Sequence, residues 1–181
     1  MFNKLSPLLF VLGLAALLPA QSTWYVPDDF STIQAGIDGS SHGDTVIVRD
    51  GTYVENINFN GKAITLKSEN GPATTIIDGN QAGSVVTIES GEGSDSVFEG
   101  FTVTNGSNTY GGGMYCDSSS PTLEDCTFTD NTAGSSGGGM SCRNSPSPTL
   151  TNCTFTENTA NYYGGGMYCY SSSPTLDNCA F

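Results

Sequence analysis

Gly111-Gly112-Gly113-Met114-Tyr115-Cys116, continuing through Ser120-Pro121-Thr122-Leu123 and Cys126-Thr127-Phe128-Thr129 to Asn131-Thr132-Ala133, is a phrase that this chain repeats. The second copy opens at Gly137 and the third at Gly164, a period of 26 and then 27 residues. Self-similarity at such a period marks a solenoid, in which each unit buries its apolar side only by stacking on its neighbours. Within the phrase, Cys126 and Phe128 alternate with Thr127 and Thr129, and Met114 and Cys116 flank Tyr115. That is the period of a strand with one face in and one face out. A helix would need apolar residues three and four apart over ten or more positions, and Gly, Pro, Ser, Thr and Asn are poor material for one. Equivalent strands of successive copies are therefore expected side by side, in parallel ladders about 4.8 Å apart, as a parallel β-helix.

Outward from the repeats, residues 21–44 read as an N-terminal cap, 45–105 as degenerate coils and 106–181 as the regular repeats. Strands are expected at 45–48, 53–59, 63–67, 75–77, 84–89 and 97–104, bounded by turn formers such as Asp50-Gly51, Asn60-Gly61 and Asp78-Gly79. Before them, Ser31 and Gln34 have the spacing of a capping box, Ile33 and Ile37 share one face, and Phe30 can act as a staple. A short helix there hides the open edges of the first coil. The third copy stops at Cys179-Ala180-Phe181, part-way through a unit, so the chain reads as truncated at its C-terminus.

Residues 1–20 carry Lys4, an apolar run from Leu8 to Leu18 and a small residue, Ala20, at a cleavage point. The run is too short to span a bilayer and has the form of a secretory signal. It predicts a secreted or cell-surface protein with no membrane span in the mature segment. The chain has 5 Lys and Arg against 18 Asp and Glu, a net charge of −13. Such a surface repels nucleic acid and anionic lipid. It is compatible with calcium, but no ligand cluster is visible and no other cofactor is indicated.

Six cysteines fall into two columns: Cys116, Cys142 and Cys169 after Met-x, and Cys126, Cys153 and Cys179 before x-Phe. In an exported chain they are expected either as three disulfides within coils (Cys116 to Cys126, Cys142 to Cys153, Cys169 to Cys179) or as free thiols stacked inside. Pairing along a column would strand one cysteine in each set of three. Asn131 and Asn158 occupy matching turn positions and are expected as a buried amide ladder. Tyr115, Ser141 and Tyr168 point outward, and Tyr110, Tyr162 and Tyr163 precede the glycine triplets. Exposed rings beside acids and hydroxyls suit a polysaccharide-binding surface, so these five tyrosines are the candidate ligand surface.

The Gly-Gly-Gly-Met and Phe128-Thr129-Asp130-Asn131 pairing, repeated at Phe155-Thr156-Glu157-Asn158, resembles the repeats of polymorphic outer-membrane proteins. More broadly the chain resembles the right-handed β-helix, or pectin-lyase-like, superfamily. That resemblance implies a right-handed single-stranded parallel β-helix with a short N-terminal capping helix. Gly51-Thr52-Tyr53-Val54-Glu55 is similar to a GxYxE motif of pectinesterases, but the later aspartate- and arginine-bearing motifs have no counterpart here. The only basic side chains past the leader are Arg49, Lys62, Lys67 and Arg143, none within an Asp cluster of the sequence. His42, the sole histidine, reads as a loop residue. The T-x-T pairs at Thr102 and Thr104, Thr127 and Thr129, and Thr154 and Thr156 resemble the ranks of ice-binding β-helices. The reading that results is a non-catalytic binding or adhesion scaffold with polysaccharide contact. A carbohydrate-active enzyme, either polysaccharide lyase or pectinesterase-like, is the alternative, and an ice-binding surface the third.

Overall fold

A computed structural model describes residues 20–181, so the expected leader lies almost wholly outside the described residues. The chain winds as a parallel β-solenoid. One seven-stranded sheet starts at Thr23–Val26 and takes in Thr45–Val48, Thr65–Ser68, Val97–Glu99, Thr122–Glu124, Thr149–Thr151 and Thr175–Asp177 in that order. A second sheet stacks Gly51–Val54, Thr75–Asp78, Thr102–Thr104, Thr127–Thr129 and Thr154–Thr156. A third stacks Ile57–Asn58, Val86–Ile88, Met114–Asp117, Met140–Arg143 and Met167–Tyr170. A short sheet of Ser107–Tyr110, Thr132–Ser136 and Thr159–Ala160 completes the repeats.

Coil length varies where the sequence is degenerate and settles where it repeats. Thr45 pairs with Thr65, then Thr65 with Val97, whereas Thr122 pairs with Thr149 and Thr149 with Thr175. Two expected strands are each two: 97–104 divides into Val97–Glu99 and Thr102–Thr104, and 53–59 into Gly51–Val54 and Ile57–Asn58. The break at Gly100 is a corner of the coil. Gly100 (φ 79°), Asp125 (52°), Asn152 (54°) and Asn178 (50°) all take the left-handed conformation at equivalent corners. The side chains of the last three form a ladder, with Asn152 Nδ2 donating to Asp125 Oδ1 at 2.9 Å and Asn178 Nδ2 to Asn152 Oδ1 at 2.8 Å. Asn and Asp tolerate such backbone angles, and stacking satisfies their polar atoms.

The interior is filled by like upon like. Phe128, Phe155 and Phe181 stack nearly parallel, at centroid spacings of 4.8 and 4.9 Å. Leu66, Phe98, Leu123 and Leu150 follow one another in register, and all four are buried. Rings repeated at the coil spacing make offset contacts that add to their area burial.

The helix Ile33–Gly39 covers the N-terminal end of the described coils, with Ile33, Gly36 and Ile37 buried. Its N-cap is Thr32, one residue past the expected Ser31, with Thr32 Oγ1 accepting from Ala35 N–H at 3.1 Å. Gln34 does not close a capping box; its amide bonds instead to the main chain of Asn58. The carboxylate of Glu55 takes over, accepting from Ile33 N–H at 2.9 Å and Gln34 N–H at 3.0 Å. At the other end Lys62 Nζ donates to the carbonyls of Ile37, Asp38 and Ser40. Orphan donors and acceptors at both helix termini are thus met by an acid and a base from the coil below, each with the sign the helix dipole favours.

The glycine triplets are stacked main chain with no room for a side chain. A Cβ at Gly113 would stand 2.5 Å from Gly139 O and 2.9 Å from Asn131 Nδ2. Gly113→Ala is expected to cost about 3 kcal/mol of stability through forced coil separation. Gly93→Ala, in open space, is expected to stay within about 0.5 kcal/mol of the parent. Urea unfolding of the two variants checks the difference.

Candidate functional site

The short sheet folds over the outer face of the third sheet because of the glycine that opens each triplet. Gly111, Gly137 and Gly164 take φ of 60°, 71° and 59°. At Gly137 a Cβ would lie 2.4 Å from Met140 O and 2.8 Å from Ser141 Cβ. Only glycine lets the chain reverse that tightly onto its own strand. The reversal brings two register columns together: Tyr110, Ser136 and Tyr163 on the short sheet, and Tyr115, Ser141 and Tyr168 on the third.

Four of the five candidate tyrosines belong to this face. Tyr163 stacks on Tyr168 with centroids 5.8 Å apart. The guanidinium of Arg143 lies over the Tyr110 ring at 3.9 Å, and Tyr170 is on the same cation at 5.7 Å. Tyr162, at 73% exposure, joins no such pair. Ser141, expected to point outward, is fully covered, and its Oγ has no hydrogen-bond partner among the described residues.

A third column beside these runs Asp117, Arg143, Tyr170. Asp117 accepts hydrogen bonds from Tyr115 Oη at 2.9 Å, Ser118 Oγ at 2.9 Å and Asn144 Nδ2 at 2.8 Å. Burial alone would raise its carboxyl, but the Asn144, Ser118 and Tyr115 donors and the charge of Arg143 outweigh it, and its pKa is lowered. Tyr115 is pushed up to about 12, first by burial and then by its bond to Asp117. Among the described residues Arg143 forms no ion pair and donates no hydrogen bond, whereas Arg49 is held by Asp28 and Glu69. The sequence placed no basic residue in an acidic cluster; the fold gives Arg49 two carboxylates and puts Arg143 one coil from Asp117.

Asn131 is buried, with Oδ1 accepting from Gly106 N–H and Nδ2 donating to Val103 O and to Asn158 Oδ1. The left-handed residues at these turns are the preceding Asp130 and Glu157, not the asparagines. Their amides therefore bond to neighbouring coils, not to their own turn. All six cysteines are free thiols, and the pairs Cys116 and Cys126, Cys142 and Cys153, and Cys169 and Cys179 are not joined. The threonine ranks stand in register on the second sheet, Thr102, Thr127 and Thr154 in one and Thr104, Thr129 and Thr156 in the other, with Ala180 next in the first. In the GxYxE stretch, Tyr53 Oη donates to Arg49 O at 3.0 Å, and Glu55 caps the N-terminal helix. His42 accepts from Ala63 N–H through Nδ1 and borders a depression of about 490 Å³ with Gln21, Thr65 and Asp95. Among the described residues no group of three or more His, Cys, Asp or Glu is arranged to hold a metal ion, and no helix is long and apolar enough to cross a membrane.

The chain belongs to the family described as right handed beta helix region, which matches residues 31–181. Among solved structures it is similar to a pectin methylesterase in complex with a hexasaccharide, at 14% identity and a TM-score of 0.52, covering 77% of this chain and 55% of that one. Another is pectin methylesterase PemA from Erwinia chrysanthemi, at 16% identity and a TM-score of 0.49 over 77% of this chain and 55% of that one. The chain thus spans about half the length of these structures, and the likeness is one of fold. No curated protein sequence matches it significantly.

Tyr115→Phe removes one of the three donors that keep Asp117 ionised. The Asp117 pKa is then expected to rise toward the ordinary carboxylate value. A lowered carboxyl contributes stability that is present above about pH 4 and lost as pH falls through the folded pKa, so this contribution shrinks in the variant. Carboxyl NMR titration of parent and variant measures it, and in the parent the Tyr115 phenolate should appear only near pH 12.

Proposed function

We propose that the face formed by Tyr110, Tyr115, Tyr163, Tyr168, Tyr170 and Arg143 binds carbohydrate, on an exported protein that acts as a rigid scaffold at or outside the cell surface. The observation that carries this is Arg143 of the middle coil flanked by rings from the coils on either side, Tyr110 at 3.9 Å and Tyr170 at 5.7 Å, beside the Tyr163 and Tyr168 stack, with no acidic side chain in ion-pair contact with it among the described residues. Ring faces stack on the apolar faces of sugars, and fixed polar groups set their orientation. Arg143, 3.9 Å over the Tyr110 ring and donating no hydrogen bond among the described residues, has N–H groups to offer for the bidentate contact that suits a carboxylate. The net charge of −13 works against a dense polyanion. At physiological salt that repulsion is screened beyond about 8 Å, while the contact at Arg143 is local. A glycan with isolated acidic sugars fits both facts better than a continuous polyuronate.

A second reading, enzymatic, is favoured by one feature of the same face: an ionised Asp117 in register with Arg143, with Glu89 just past Ile88 on the coil below. The similar pectin methylesterases make ester hydrolysis the activity to examine.

Glycan-array retention of the chain tests the first reading. Arg143→Gln is expected to weaken acidic glycans by roughly 10-fold or more, the value of a charged hydrogen bond, and to leave neutral ones unchanged. A variant carrying Tyr163→Ala and Tyr168→Ala is expected to lose both. Undiminished retention by that double variant would remove this face from consideration, and pectin de-esterification abolished by Arg143→Ala would put the enzymatic reading first.

A further inference from the structure

The two cysteine columns are arranged for chemistry between coils. Cys116 and Cys142 are register partners on adjacent parallel strands, and so are Cys142 and Cys169. In the other column Cys126, Cys153 and Cys179 each stand one residue before the register partners Thr127, Thr154 and Ala180. Parallel neighbours in register are about 4.8 Å apart, inside the 4.4–6.8 Å window of Cα separations that a disulfide spans. All six share the inner side of their coils: Cys116, Cys126, Cys142 and Cys153 lie in the core, and Cys169 and Cys179 pack against it.

Pairing within a coil is opposed by the strand between the two cysteines. Cys116 Sγ lies 3.1 Å from Ser119 O, and Cys126 Sγ lies 3.1 Å from Glu124 O. Those carbonyls are five residues apart along an extended segment that includes Thr122–Glu124, a span of roughly 15 Å. Taking off the two sulfur contacts leaves roughly 9 Å between the sulfurs, far beyond a bond of about 2 Å. In the later coils the second column keeps its half of this geometry, with Cys153 Sγ 3.4 Å from Thr151 O and Cys179 Sγ 3.4 Å from Asp177 O.

We propose that oxidation of this protein joins neighbouring coils: Cys153 with Cys126 or Cys179 in one column, Cys142 with Cys116 or Cys169 in the other, and one thiol left over in each. The oxidant is a disulfide, such as oxidised glutathione or the disulfide donor of an export compartment. One cysteine thiolate attacks it and releases one small thiol, leaving a mixed disulfide. The neighbouring thiolate then displaces the second small thiol, so two protein thiols and one disulfide become one protein disulfide and two thiols. The product pins a strand to the strand above it, which closes a loop one coil long and opposes peeling of the ladder. The middle thiol of each column is shared, so only one of its two neighbours can hold it at a time.

The experiment is thiol mapping of the full chain, refolded from the reduced state in a glutathione redox buffer. Residual thiols are alkylated under denaturing conditions and disulfide-linked peptides are identified by mass spectrometry. Two free thiols per chain are expected, with every linked pair inside one column. Cys142→Ala leaves Cys116 and Cys169 two coils apart, so the free-thiol count is expected to rise to three; pairing within coils would give one. Linked peptides Cys116 to Cys126, Cys142 to Cys153 and Cys169 to Cys179, or six alkylatable thiols after oxidation, would overturn the proposal.

Discussion

Successive coils of this protein are tied by main-chain hydrogen bonds running along the solenoid axis, and that ladder fixes which side chain stands over which. Gly113 N–H donates to Gly138 O at 2.9 Å, Met114 to Gly139 at 2.8 Å, and Met140 to Gly166 at 2.9 Å. Once the register is set, inward residues can only stack on their equivalents. The core is therefore a set of columns: the phenylalanines, the methionines, the two series of thiols and the paired amides of Asn131 and Asn158. Buried polar groups such as Asn131 and Ser84 find partners in a neighbouring coil, which keeps polar residues tolerable inside a narrow all-β core. Glu92 is a case in point. It is buried in the longest coil, yet its carboxylate accepts from Gly61 and Ser90 N–H and from Ser119 Oγ, and so ties three coils together.

The repeat cannot supply its own beginning. A first coil has no ladder beneath it, and the helix Ile33–Gly39 closes it with two isoleucines directed into the core. Glu55 and Lys62 hold that helix from the second coil at its opposite poles. Asp44 adds a further clamp, accepting from Ser22 and Ser41 N–H and from Trp24 Nε1. Its main-chain donors at Ser41 and Ser22 hold its carboxyl below the usual value. The stretch Gly51–Glu55, which in sequence looks like part of an enzyme, does structural work in this chain.

The surface site follows from the same stacking, with one exception that gives it its chemistry. The column outside the thiols is Asp117, Arg143, Tyr170, three different residues in one place, so the columnar rule lapses there. Arg143 then finds Tyr110 not through its own strand but through the short sheet folded over it. The rings of residues 110, 115, 163 and 168 were legible as outward tyrosines from strand alternation and turn position. The placing of Tyr110 over Arg143 and of Tyr163 on Tyr168 was not, because the chain reversal at Gly111, Gly137 and Gly164 is a matter of backbone angle, and glycine in sequence says only that such an angle is permitted.

From its residues alone this chain declares a parallel solenoid, the inward positions, the columns of Cys and Phe and the presence of a cap, because a repeat of 26 or 27 residues with period-two alternation has one way to bury its apolar side. Tertiary structure alone decides which polar atoms satisfy which. It sets the corners where expected strands break, moves the cap to Thr32 with Glu55 as its partner, and leaves the two thiols of each coil unjoined. These outcomes rest on contacts between residues about 20 to 32 positions apart, whose pairing is set by the ladder, and no local pattern in the sequence encodes a distance across it.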